Sequence, residues 1–229
     1  MSASNRRTVL CDDPYVTWDD ALQFRLTYEG ILCSTQQDKM TGQYDRRADH
    51  KHDIRKHFHP QLKRLWDITP HLTAGVDTGP VVFSLGSEER PWLRYHRDDL
   101  AKKHEMFGWN FVPLVTDHAN LLCGVDILFL RPDHPGSLIR SGDIDNRLKT
   151  LLDALRLPVA NERYDNRAQG PDDQPFYCLL EDDRLITKIS VETDQLLDFD
   201  QSKDPNQVKL VINVTVRPYE ASMDNVQFL

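Results

Sequence analysis

Two short acidic segments hold the residues of this 229-residue chain that are spaced for chemistry. The first is Gly142-Asp143-Ile144-Asp145-Asn146-Arg147-Leu148-Lys149. Asp143 follows a glycine-containing loop at a natural N-cap position, and Asp145 falls in the first turn, where a carboxylate suits the helix dipole. Asp145 and Lys149 are four apart and share a helix face. The second segment is Glu181-Asp182-Asp183-Arg184, which leads into LITKISVE. Acidic pairs recur elsewhere (Asp12-Asp13, Asp19-Asp20, Asp98-Asp99, Asp172-Asp173), so a pair alone discriminates nothing. Asp182-Asp183 differs because a helix, a loop and a returning strand would bring it beside Asp143 and Asp145. Hard divalent ions such as Mg²⁺ take oxygen ligands, and a bound ion activates water and neutralises phosphoryl oxygens. A nearby lysine steadies charge developing on the leaving oxygen. Such an inventory suits phosphodiester hydrolysis. The same residues also read as a helix cap, a surface ion pair and a solvated turn, and residue chemistry alone leaves both readings open.

The elements that must position these groups follow from periodicity. Leu148, Leu151, Leu152 and Leu155 recur at helical spacing and predict a helix over Asp143–Leu157. A second helix is predicted within Asp38–Trp66 from Ile54, Phe58, Leu62, Leu65 and Trp66, with Pro60 marking a boundary or kink. Strands are predicted at Leu22–Tyr28 (ended by Gly30), Val81–Leu85, Asn110–Val115, Leu121–Leu130, Tyr177–Leu180, Leu185–Glu192 and Val208–Val216, with a short helix at Asp98–Phe107. The expected class is α+β, with one mixed or antiparallel sheet covered by two main helices. A leader (1–20) precedes one domain (21–218), which carries an elaboration over about 30–109 and a polar insertion at 158–175. A mobile tail (219–229) follows.

The strings GDIDNRLKTLLDAL and LLEDDRLITKISVE resemble the core of the RusA-type Holliday junction resolvases over roughly Val125–Val216. That resemblance implies a RusA-like fold in which Asp143, Asp145 and Asp183 hold Mg²⁺ (or Mn²⁺), with Asp182 in support and Lys149 as the catalytic lysine. It further implies a homodimer that nicks branched DNA symmetrically, leaving 5′-phosphate and 3′-hydroxyl ends; a cytoplasmic location is expected separately, from the isolated cysteines. The chain departs from the compact family members in its extra length before Val125 and in the 158–175 insertion. It also departs in charge: Asn161–Asp204 holds 12 acidic and 5 basic residues.

With 28 Lys+Arg against 36 Asp+Glu, the net charge of −8 excludes a simple basic nucleic-acid coat. Phosphate contact therefore falls to a local patch. Tyr44–Trp66 supplies one, through Arg46, Arg47, Lys51, Arg55, Lys56, Lys63 and Arg64 against Asp45, Asp49 and Asp53. His50, His52, His57 and His59 would add charge there at lower pH, and their spacing argues against a structural zinc. Asp126, mid-strand among apolar residues, is either a further acid near the site or an edge-facing residue. Trp66, Trp92 and Trp109 read as anchors of packing. The four scattered cysteines form no metal or redox signature and are expected as free thiols. No apolar run is long enough for a membrane span or signal peptide. Two alternatives remain: a non-catalytic acidic partner-binding or DNA-mimic protein on the same fold, and a nuclease for a different nucleic acid.

Overall fold

In β1 (Leu22–Ile31) apolar and polar residues alternate, so Leu26 and Tyr28 are buried while Arg25, Thr27 and Glu29 are exposed. The structure, a computed structural model, describes residues 22–33, 47–69, 72, 97–132, 144–162, 164, 167–198, 204, 206–220, 225 and 228. The expected strand Val81–Leu85, the leader, Arg46, Trp92 and Asp143 lie outside them. β1 runs through Gly30 rather than ending there. The closing strand β7 (Gln207–Pro218) pairs with it antiparallel along its whole length, from Leu22↔Val216 to Ile31↔Gln207. A side chain at Gly30 would put Cβ 2.7 Å from the Tyr28 hydroxyl, which is why glycine is tolerated mid-strand here.

β7 also pairs antiparallel with β4 (Leu121–Arg131), and β4 pairs parallel with β6 (Ile186–Gln195). The resulting mixed sheet has the order β1-β7-β4-β6. A second sheet, β2-β3-β5, is made by β2 (Glu105–Met106), β3 (Trp109–Val115) and β5 (Phe176–Leu180). The α+β class holds, but the expected single sheet is corrected to two. β5 lies parallel beside β3 instead of joining β4, and all five of its residues are buried, as suits a strand covered on both faces.

Three helices appear among the described residues: α1 (Ala48–Ile68), α2 (Arg97–Lys103) and α3 (Ile144–Leu155). α1 packs on β5 and α3 and continues through Pro60. A proline inside a helix costs about 3 kcal/mol. Ile54, Phe58, Leu62 and Trp66 are all buried on the α1 stripe, and each such side chain contributes roughly 1.5–3 kcal/mol. Packing therefore outweighs the lost backbone bond. Gln61, next to the proline, covers the free edge of β1: Thr27 N donates to its Oε1 (2.9 Å) and its Nε2 donates to Thr27 O (2.7 Å).

α2 is shorter than the expected Asp98–Phe107 helix. Phe107 and Gly108 both take positive φ (56° and 74°), a two-residue hairpin turn that joins β2 to β3 and stops the helix. The 158–175 insertion is not a peripheral loop. Its Tyr164 is fully buried in a cluster with Trp109, Phe111, Leu157, Phe176 and Cys178, and its 3₁₀ turn Ala160–Glu162 places Glu162 at 0% exposure. The tail is anchored as well. Asn225 is buried and its Nδ2 donates to Ala119 O (2.8 Å), while Phe228 joins the main core.

Candidate active site

α3 buries Arg147, Thr150, Leu151, Ala154 and Leu155, which leaves Asp145 and Lys149 exposed on its other side. Leu151 and Leu155 of the expected stripe are fully buried, whereas Leu148 and Leu152 lie at its border. Lys149 and Asp145 share a face, as their spacing requires. No ion pair forms between them, and neither side chain has a partner among the described residues.

β5 leads into a 3₁₀ turn, Asp183–Leu185, that packs against both α3 and β4. Its charged residues divide into three that hold the turn and one that does not. Asp182 is the N-cap, its carboxylate accepting from Arg184 N (2.9 Å). Glu181 N donates to Val115 O (2.9 Å), and Glu181 Oε2 accepts from Asp117 N (3.0 Å). Arg184 Nη2 donates to Asp117 Oδ2 (3.0 Å). Asp183 remains exposed, with no side-chain partner among the described residues. Asp182, expected as a supporting metal ligand, thus has a capping role. The fastening of the turn to the β3–β4 connection through Asp117 was not foreseen. No periodic signal marks such a contact, because the two segments are 67 residues apart.

The expected acids offer only carboxylate oxygens, which is the donor chemistry a hard divalent ion takes. Among the described residues, no group of three or more His, Cys, Asp or Glu side chains is placed to hold a metal ion. Asp145, Asp182 and Asp183 therefore do not make a cage by themselves, and Asp143 lies outside the described residues.

The basic patch on α1 is corrected at two positions. Lys51 and Arg55, expected to face phosphates, are 5% and 2% exposed. Lys51 Nζ is 2.9 Å from Asp153 and 3.6 Å from Glu162. Arg55 pairs with Glu162 through Nη1, and its Nη2 and Nε donate to the carbonyls of Asp153 (2.6 Å), in the last turn of α3, and Arg156 (3.0 Å), just past its end. The guanidinium thus caps the C-terminal end of α3, where a cation is favoured. Burial opposes its charge, but the neighbouring Tyr164 and Glu162 hold its pKa above the ordinary arginine range. Arg64 and Lys56 are exposed, and Arg47 and Lys63 are half-exposed.

The α1 histidines are largely structural. His52 is buried against the Tyr164 hydroxyl (2.7 Å). Burial, joined by the charges of Arg167, Lys56 and Arg55, pushes its pKa down to about 4. His59 Nδ1 accepts from Tyr177 N (2.9 Å) and its Nε2 donates to Asp172 O (3.0 Å), a pairing that only one neutral tautomer satisfies. Burial lowers the pKa of His59 and of His50. At these three positions burial moves the gain of positive charge to lower pH than an exposed imidazole would need.

Asp126 is half-buried on the open face of the four-stranded sheet and ion-paired with Lys188 (3.0 Å). The groove there is lined by Gln23, Arg25, Asp126, Asn213 and Thr215. Among the described residues no disulfide joins Cys33, Cys123 and Cys178, and burial pushes Cys123 and Cys178 up to about 12. No described helix is long and apolar enough to cross a membrane. Compared with protein-family models, curated proteins and solved structures, the chain matches none.

Proposed function

We propose that this chain is a divalent-metal-dependent endonuclease of the RusA type, acting as a homodimer on branched DNA. One observation carries the reading. The head of α3 and the 3₁₀ turn leave Asp145, Lys149 and Asp183 exposed and, among the described residues, unpaired, while Asp117, Asp126, Asp153, Glu162, Asp173, Glu181 and Asp182 each have an internal partner. A stabilising network would pair such charges; a hydrolytic site needs them available.

Asp145 and Asp183, together with Asp143, would hold the ion, and Mg²⁺ or Mn²⁺ so bound would supply an activated water and charge neutralisation. Lys149 donates to a phosphate oxygen and steadies the charge that develops as the bond breaks. Asp182 and Arg184 keep Asp183 turned outward by holding the turn. The acidic-mimic reading gains no such support, since Glu162, Asp172 and Asp173 of the insertion are paired within the chain.

The test is incubation of the protein with a synthetic four-way junction and Mg²⁺, with linear duplex and single strand alongside and EDTA as control. Paired nicks with 5′-phosphate ends, abolished by EDTA and by Lys149→Met, are expected. Cleavage indifferent to Lys149→Met, or no cleavage of the junction with either Mg²⁺ or Mn²⁺, would reject the assignment.

A further inference from the structure

The insertion meets α1 through a ladder of opposite charges. Arg167 Nη1 lies 2.9 Å from Asp49, Asp173 lies 3.5 Å from Lys56, and Asp172 lies 3.8 Å from Lys63. Asp49, Lys56 and Lys63 are seven residues apart, about two turns each, so they fall on one stripe of the helix. The sign is complementary at every rung.

The two acidic rungs are held differently. Asp173 is buried, its Oδ2 accepting from Gly170 N (2.8 Å) while its own N–H donates to Gly170 O (3.2 Å). Asp172 is fixed only by its backbone, whose carbonyl accepts from His59 Nε2 (3.0 Å). Its carboxylate is 91% exposed and reaches Lys63 at the longest of the three distances. The corner therefore keeps its shape whether or not that carboxylate stays on the lysine.

We propose that Asp172 is a built-in competitor for polyanions: it covers Lys63, a cation that α1 offers to phosphate, and yields that position when nucleic acid binds. The inference rests on the reading of the outer face of α1 as a phosphate-contact surface. An exposed ion pair contributes roughly 0.2–1 kcal/mol, whereas phosphate neutralisation draws on counterion release from the whole polymer. A polyanion therefore displaces Asp172, but at a cost that lowers affinity and discourages weak, adventitious binding. Lys56 stays paired, because Asp173 is held by its own loop.

The experiment is fluorescence anisotropy of a labelled four-way junction across a salt series, with the full chain as native protein, Asp172→Asn, Lys63→Ala and the double variant. Asp172→Asn is expected to bind roughly two- to five-fold more tightly at low salt, with the gain shrinking as salt screens the pair. In the Lys63→Ala background the same change is expected to give no gain. An equal gain in both backgrounds would mean a general charge effect and would overturn the proposal, as would no gain in either. Retention on heparin separates this idea from the nucleic-acid reading. If no variant binds the junction yet Asp172→Asn elutes later than native only when Lys63 is present, the competitor stands and the DNA substrate falls. If neither probe responds, both fall.

Discussion

The two ends of α3 use charge in opposite ways. At its C-terminal end Lys51, Arg55, Asp153 and Glu162 form a buried network that ties α1, α3 and the insertion together. At its N-terminal end Asp145 and Lys149 stand exposed, and the 3₁₀ turn that packs on α3 presents Asp183 in the same condition. On the proposed reading, the difference separates charges that hold the fold from charges kept for a substrate. A buried charge must be paired and hydrogen-bonded to be tolerated, while a charge meant for a substrate is left unpaired at the surface, where solvation keeps it inexpensive.

The largest effect should come from breaking the buried end. Glu162→Ala strands Arg55 in a site without solvent, and breaking such a pair costs about 3–5 kcal/mol. Urea unfolding should show that loss; a change below about 1 kcal/mol would mean that the network is not what locks α3 in place. Acid should strain the same region next. His52 has its pKa pushed down to about 4, below the ordinary value of about 6.5. The unfolded chain thus binds a proton in a range where the fold does not, so the stability held above about pH 6.5 is lost as pH falls toward 4. That loss is on the order of 3 kcal/mol. His59, also lowered, adds in the same direction. Urea midpoints measured between pH 7 and pH 4 should fall, with a shallower slope in His52→Gln. A flat native profile would contradict the assigned burial.

Smaller effects belong to the exposed end. Asp182→Ala removes the acceptor for Arg184 N and should cost about 0.5–2 kcal/mol in thermal or urea unfolding. Asp145→Asn, Lys149→Met and Asp183→Asn should each stay within about 0.5 kcal/mol of native, as surface changes usually do. A loss above about 2 kcal/mol at any of the three would make that residue structural and erase the contrast.

Much of this was legible in the residues. The repeats in Ile54, Phe58, Leu62 and Trp66 gave α1, and the alternation in β1 and β7 gave two strands but not their pairing. Spacing put Asp145 and Lys149 on one helix face, whereas only the family resemblance singled out Asp183. Partner choice was not legible. Arg55 and Lys51 looked like Lys56 and Arg64 in a basic run, because the carboxylates that bury them, Asp153 and Glu162, come from segments about 100 residues away. Nor could periodicity place β5 in a second sheet. A short, wholly apolar strand carries no preference for one neighbour over another. Asp182 and Asp183, adjacent and chemically alike, were separated only by the turn that one of them caps.

That last pair offers the most direct test of the central claim. The measurement is the single-turnover rate of Mg²⁺-dependent junction cleavage by native protein, Asp183→Asn and Asp182→Ala, each with its unfolding midpoint. Asp183→Asn should lose at least about 100-fold in rate at a native midpoint, while Asp182→Ala should be less stable yet keep most of its rate once folded. Full activity in Asp183→Asn, or a rate loss confined to Asp182→Ala, would contradict the assignment of the hydrolytic centre.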